Sequence, residues 1–134
     1  MKAAILRQAE TPLQVEDVQI DDPGPREVLI QTGATGVCRS DLHFLEGTYV
    51  TLMPTILGHE AAGTVMAVGE LVSYVKPGDH VITCLSVFCG HCEYCLSGRM
   101  VLCAKEDIVR PRGEPPRLKQ GSEAINQFIN LSSF

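Results

Sequence analysis

The run Cys89-Gly90-His91-Cys92-Glu93-Tyr94-Cys95, followed after seven residues by Cys103, decides how one lobe of this chain folds. Its C-x2-C-x2-C-x7-C spacing can place four thiolates around a single ion, and a tetrahedron of four thiolates is a structural zinc site. Four protein ligands fill the coordination sphere, so this ion would stabilise the lobe and take no part in catalysis. We therefore predict a structural zinc lobe over about residues 85–105.

Other uses of these cysteines fit the pattern less well. Disulfides or buried free thiols are the alternative, and the close spacing of the four residues argues against them. A bacterial iron–sulfur run ends in a shorter x3 step followed by proline, which this sequence lacks. His91 lies inside the loop and is a further candidate ligand, but with four thiols in reach we expect it to face solvent.

Composition predicts a single globular domain. The chain has 134 residues, of which 45% are hydrophobic and 20% charged. The net charge of -5, with scattered Lys and Arg, argues against a nucleic-acid partner. No apolar run reaches the length of a membrane span, and polar residues come too early after Met1 for a signal peptide. Six cysteines without an export signal indicate metal ligands in a reducing compartment, so we expect a cytoplasmic protein without a membrane partner.

The remainder of the first hundred residues has a β pattern. Short apolar segments alternate with turn clusters such as Asp21–Pro25 and Lys76–Asp79, and helical periodicity is almost absent. Many short strands favour a small barrel or sandwich. The predicted strands are Lys2–Arg7, Leu13–Ile20, Glu27–Ala34, Ala61–Val68 and His80–Cys84.

One short helix is predicted over Ser40–Glu46, with Ser40 or Asp41 as its N-cap and Gly47 at its end. It lies in the stretch Cys38-Arg39-Ser40-Asp41-Leu42-His43, and Gly58-His59-Glu60-Ala61-Ala62-Gly63 follows downstream. A Cys and a His that the fold brings together, with a carboxylate beside the His, are two of the three protein ligands of a Cys2His zinc site. On spacing alone, both residues could equally be hydrogen-bonded core residues.

Four motifs in the same order give a more specific indication. The run Gly58-His59-Glu60-x-x-Gly63, with Gly69 and then Val72 downstream, resembles the signature of zinc-containing alcohol dehydrogenases of the medium-chain dehydrogenase/reductase superfamily. The Cys38–His43 stretch, Pro77-Gly78-Asp79-x-Val81 and the four-cysteine lobe occur in that family in the same order. The resemblance is clear from Met1 to Cys103 and loose after it.

This resemblance implies a mainly β fold, a GroES-like β-barrel with a short helix and a projecting structural-zinc lobe. It also implies a second, catalytic zinc that lowers the pKa of an alcohol, whose hydride then passes to NAD or NADP. The partners would be a small-molecule alcohol or aldehyde, and the complete enzyme would be a homo-oligomer.

The resemblance assigns the metal-site residues. Cys38 and His59 would be ligands of the catalytic zinc, and Asp41 would orient the ligand histidine. Glu60 would lie behind the metal and tune its field or replace a departing ligand. In the family, the third protein ligand of the catalytic zinc comes from sequence beyond Phe134. Glu60 and Cys84 are therefore the candidates to substitute for it. Otherwise we expect Cys84 to be a buried strand cysteine.

Three further residues would handle the proton and the cofactor. The Ser40 hydroxyl would contact the substrate oxygen and start a proton relay that His43 finishes near solvent. Arg39 would pair with the cofactor pyrophosphate, which suits a planar guanidinium. Each has a simpler alternative: Ser40 as a helix cap, Arg39 as solvated surface, and His43 as a helix-surface histidine without function. Asp41 could likewise be only a favourable charge in the first helical turn.

The end of the chain departs from the family. The segment Arg110–Arg117 is polar and proline-rich, apolar residues resume from Phe128 to Phe134, and no G-x-G-x-x-G turn is present. We therefore expect an incomplete N-terminal catalytic domain without its nucleotide-binding domain, inactive by itself. The alternative is a non-enzymatic zinc-binding interaction module. A zinc-ribbon nucleic-acid binder conflicts with the acidic balance.

Overall fold

The computed structural model describes residues 1–104, 108–110 and 113–128. Within these ranges the chain is mainly β, as predicted, with two short helices and a turn of 3-10 helix at Met100–Leu102. The helices are α1 (Arg39–Leu45) and α2 (Glu93–Leu96). The strands are β1 (Lys2–Leu6), β2 (Gln14–Asp17), β3 (Gln19–Ile20), β4 (Val28–Thr35), β5 (Thr55–Ile56), β6 (Ala61–Val68), β7 (His80–Ile82), β8 (Leu118–Gln120) and β9 (Glu123–Gln127).

Six strands form a nearly closed barrel-like sheet in the order β2-β1-β5-β9-β8-β3. Its two end strands, β2 and β3, are separated in the chain by Val18 alone, so the ends of the sheet lie close together. The pairing of β5 with β9 is parallel, and the other pairings of this sheet are antiparallel. This is the barrel of a GroES-like fold, as the family resemblance implies.

The hydrophobic core has two parts. Inside the barrel lies a cluster of fully buried aliphatic side chains: Ala3, Ile5, Val18, Ile56, Leu118 and Ile125. A second cluster, Leu6, Leu57 and Phe128, lies under α1 and is covered by Leu13, Phe44, Leu45 and Met53. Apolar contacts therefore fix α1 against the barrel, and the helix carries several of the predicted site residues.

A second sheet consists of three antiparallel strands in the order β4-β6-β7. Strand β6 coincides with the predicted segment Ala61–Val68 and begins directly after His59 and Glu60. Close packing of β6 on β4 requires Gly63, since a Cβ there would lie 2.2 Å from the Gln31 carbonyl oxygen. This strand pair therefore holds one end of the His59–Glu60 segment.

Several sequence predictions need correction. The single strand predicted over Leu13–Ile20 is two strands, because after Val18 the chain leaves β1 and pairs with β8. Strand β7 stops at Ile82, so the prediction of Cys84 as a buried strand cysteine is wrong, and that residue is exposed. The predicted cap, Ser40 or Asp41, is also wrong: Cys38 is the N-cap of α1, because the Asp41 carboxylate reaches back to the Cys38 N–H.

Other elements were not predicted at all. Strands β8 and β9 follow the proline-rich segment Arg110–Arg117, and the two residues of β5 are too few for a periodicity. Within the predicted lobe, Lys105 lies outside the described residues, as do residues 111–112 of the proline-rich segment and residues 129–134 of the apolar run.

Candidate metal centres

The four cysteines of the lobe converge on one point. Their Sγ atoms are 3.5 Å apart for Cys92 and Cys95, and 3.9 Å apart for both Cys89–Cys95 and Cys92–Cys103. With zinc–sulfur bonds of about 2.3 Å, a tetrahedron has sulfur–sulfur edges of about 3.8 Å. A disulfide would need about 2.05 Å. The spacing fits four thiolates around zinc and excludes disulfides between these three pairs.

Backbone N–H groups surround these sulfurs. Cys89 Sγ accepts from the N–H of Cys92 at 3.3 Å and from that of His91 at 3.5 Å, and Cys103 Sγ accepts from the Cys89 N–H at 3.4 Å. The turn that aims them is made possible by Gly90, which has a φ of 80°. Because N–H donors stabilise negatively charged sulfur, these surroundings favour the thiolate form of the cysteines.

The same surroundings affect proton binding by the cysteines. A hydrogen bond from the Cys95 backbone N–H lowers the pKa of Cys92 to about 6. Desolvation raises the pKa of Cys95 to about 11, so Cys92 ionises first and its thiolate opposes ionisation of its neighbour. A divalent cation supplies the charge that lets all four ionise. His91 is exposed, as predicted, with its Nδ1 2.9 Å from the Cys89 carbonyl oxygen.

A second group of metal-ligating side chains lies at the junction of α1 and β6. Donor atoms of Cys38, His59 and Glu60 all lie within 4.8 Å of one another. Cys38 is half-buried at the start of α1, His59 is buried, and Glu60 is exposed. Thiolate, imidazole and carboxylate are the three side-chain ligands that zinc uses in proteins, so the donor set fits this metal.

Asp41 connects the two segments of this centre, the start of α1 at Cys38 and the Gly58–His59 segment. Its side chain is completely buried, with Oδ2 accepting from the Cys38 N–H at 2.9 Å and Oδ1 from the Gly58 N–H at 3.3 Å. Oδ1 also lies 3.4 Å from Nδ1 of His59, a buried nitrogen without an aligned hydrogen bond. With Nδ1 against this carboxylate, Nε2 is the nitrogen left for a metal.

The Glu60 carboxylate occupies a space that only glycine provides. A Cβ on Gly36 would lie 2.3 Å from Glu60 Oε2. The Gly36 N–H donates to the Glu60 carbonyl oxygen at 2.7 Å, and the Thr35 hydroxyl donates to the same oxygen at 3.0 Å. The end of β4 therefore fixes the Glu60 backbone, and its glycine leaves room for the Glu60 carboxylate.

Ser40, His43, Arg39 and Cys84 are the other predicted site residues. Ser40 Oγ is 3.5 Å from His59 Nε2. His43 is 29% exposed, with Nδ1 3.8 Å from Glu46 and its ring 4.9 Å from that of Tyr49. Arg39 is 66% exposed and lies 3.6 Å from Glu46. Cys84 is not in the donor group, and its Sγ instead donates to the Ser86 carbonyl oxygen at 3.5 Å.

Residues 24–125 match the family model of the alcohol dehydrogenase GroES-like domain. The chain belongs to this family. The domain is similar to the alcohol dehydrogenase zinc-binding domain protein from Burkholderia ambifaria, with 32% identity and a TM-score of 0.82 over 97% of this chain and 36% of that one.

Two further solved structures resemble this GroES-like domain. The alcohol dehydrogenase TADH from Thermus sp. ATN1 is 34% identical, with a TM-score of 0.66 over 78% of this chain and 30% of that one. A zinc-binding dehydrogenase from Sinorhizobium meliloti, solved with bound NADP, is 35% identical, with a TM-score of 0.63 and the same coverage. The chain thus spans about a third of the length of these relatives.

The GroES-like domain also contains site residues that the sequence did not reveal. Phe128, directly after β9, places its ring 5.6 Å from that of His59 and 4.7 Å from that of Phe44. Gly36 and Thr83 contact the backbone around His59 and Glu60. These residues carry no local motif, because each meets the centre only through tertiary pairing. No helix among the described residues is long and apolar enough to span a membrane.

Proposed function

We propose that this chain is the zinc-binding N-terminal part of a zinc-dependent alcohol dehydrogenase, which oxidises an alcohol to an aldehyde or ketone with NAD or NADP. The observation that carries the proposal is the convergence of Cys38, His59 and Glu60 within 4.8 Å, above the buried Asp41. Membership of the alcohol dehydrogenase family supports it.

Cys38 and His59 would hold the metal, and Glu60 offers a third protein donor within this chain. When bound, zinc supplies Lewis acidity toward the alcohol oxygen. The Asp41 carboxylate favours the His59 tautomer with a proton on Nδ1, which leaves the Nε2 lone pair free for metal binding. The hydrogen bonds that Asp41 accepts from the Cys38 and Gly58 N–H groups hold Cys38 beside the Gly58–His59 segment.

We assign proton removal to α1. The Ser40 hydroxyl, 3.5 Å from His59 Nε2, would accept the alcohol proton at Oγ and release its own hydroxyl proton toward His43. His43 lies three residues further along the helix, on the same face, and its half-buried ring would carry the proton toward solvent.

The cofactor would contact Arg39. Its exposed guanidinium, 3.6 Å from Glu46, is available to pair with a pyrophosphate. A relative from Sinorhizobium meliloti contains NADP, which supports a nicotinamide cofactor for the complete protein. We further propose a cytoplasmic homo-oligomer that acts on a small-molecule substrate, without a nucleic-acid or membrane partner.

Elemental analysis of the purified chain tests the metal assignment. We expect two zinc ions per chain, and one in C38S and in H59A. We also expect no alcohol oxidation by the chain alone. One zinc per chain in wild type, unchanged in C38S, would contradict the proposal. That result would favour a non-enzymatic zinc-binding module built on the four-cysteine lobe, which is complete within this chain.

A further inference from the structure

The His59–Ala61 segment is hydrogen-bonded on one side by a residue outside the predicted motifs. Thr83 lies one residue beyond the end of β7 and is half-buried. Its Oγ1 accepts from the Ala61 N–H at 3.0 Å and lies 3.5 Å from the His59 carbonyl oxygen and 3.3 Å from that of Ala61. The Thr83 N–H also donates to the Ala61 carbonyl oxygen at 2.8 Å.

These contacts complement those on the other side of the same segment. Gly36 and Thr35 bind the Glu60 carbonyl oxygen from the end of β4. The β4 side thus fixes the carbonyl of the middle residue, and Thr83 contacts the polar atoms of the residues before and after it. The orientation of these three peptide units determines where the imidazole and carboxylate donors point.

We infer that Thr83 is a positioning residue of the Cys38–His59–Glu60 centre, and that its hydroxyl holds the His59–Ala61 backbone in the metal-binding orientation. This inference rests on the proposed metal centre. A hydroxyl is required because it must accept from the buried Ala61 N–H and also donate to a carbonyl. Valine has the same shape, but it would leave that N–H without this acceptor.

Cobalt binding tests this inference without an activity assay. The chain is loaded with one zinc per molecule, which the four-thiolate lobe binds, and is then titrated with Co²⁺, a weaker binder that does not displace that zinc. The thiolate-to-cobalt absorption band reports binding at Cys38, and its loss in C38S identifies the site. If wild type shows no such band, the proposed centre itself fails, independently of Thr83.

Four variants separate the hydroxyl from the fold. We expect T83V and T83A to weaken cobalt binding at least about tenfold while the lobe keeps its zinc, and T83S to bind like wild type. T64V is the matched control, because Thr64 lies opposite His80 in the pairing of β6 with β7, the strand that Thr83 follows. Wild-type affinity in T83V and T83A would overturn the inference. Parallel loss of the lobe zinc would also overturn it, because the hydroxyl would then serve the fold as a whole.

Discussion

The carboxylate of Asp41 connects the two halves of the candidate catalytic centre: Oδ1 lies 3.4 Å from His59 Nδ1, and Oδ2 accepts from the Cys38 N–H at 2.9 Å. A buried acceptor of two amide hydrogens cannot be removed without leaving both donors unsatisfied. The same side chain therefore contributes to folding and to the alignment of the metal donors.

Replacement of Asp41 by alanine should affect both properties. We expect D41A to lower the free energy of unfolding by about 2–3 kcal/mol, because the Cys38 and Gly58 N–H groups lose their buried acceptor. Metal affinity at the Cys38–His59 centre should fall roughly 10- to 100-fold. Denaturant unfolding and cobalt titration measure the two effects. The exposed Asp17, changed to alanine, is the control, and equal stability of the two variants would contradict the prediction.

Local sequence patterns predicted the parts of the molecule that depend on local chemistry. The four lobe cysteines lie within a short stretch, so their spacing was enough to predict that the four sulfurs converge. The α1 segment was predicted to within one residue at each end, and Gly47, which follows it, has the positive φ of 72° expected after a helix end. Strand β6 was predicted at its observed bounds.

The remainder depends on which distant strands pair. Nothing in the sequence marks Val18 as the point after which the chain stops pairing with β1 and begins to pair with β8. Phe128 meets His59 only because β9 pairs in parallel with β5. Thr83 follows β7, and its partners belong to a segment more than twenty residues earlier, so no short motif could contain the contact.

Cys92 inside the lobe and Cys84 outside it provide a comparison between two cysteines. We expect C92S to lose the lobe zinc, because a serine hydroxyl is a poor replacement for the thiolate whose pKa lies at about 6. C84S should keep its full zinc content, since exposed Cys84 lies outside both donor groups. Elemental analysis and amide hydrogen exchange over the lobe are the measurements. Full zinc content in C92S would show that three thiolates, or His91, complete the site.

Stability in acid should depend on Glu16. Arg7 donates to both Glu16 oxygens at 2.8 Å, and Gln120 donates to one of them at 2.8 Å. The hydrogen bond from Arg7 is the main cause that lowers the pKa of Glu16 from 4.5 to about 2. Because the folded pKa is the lower one, this stabilisation is complete above pH 4.5 and is lost as the pH falls toward 2.

The E16Q variant isolates this contribution. We expect it to be less stable than wild type at pH 7, with the difference shrinking as the pH falls from 4.5 toward 2, the interval in which wild-type Glu16 takes up its proton. Denaturant midpoints measured at several pH values give the difference, and loss of zinc in acid cancels because it affects both proteins. E70Q, at an exposed turn carboxylate, serves as control. A difference that stays constant with pH would contradict the assignment.

Gly36 tests whether the Glu60 carboxylate takes part in metal binding. In G36A the new Cβ would lie 2.3 Å from Glu60 Oε2 and 3.1 Å from Glu60 Cβ, so the side chain must move. We expect a roughly tenfold loss of cobalt affinity at the Cys38–His59–Glu60 centre, with the lobe zinc unchanged. G33A is the matched control, because the nearest atom to its Cβ is the Ala62 carbonyl oxygen at 3.7 Å, an ordinary contact. If G36A binds cobalt like G33A, Glu60 is not a ligand, and the third donor must come from outside this group.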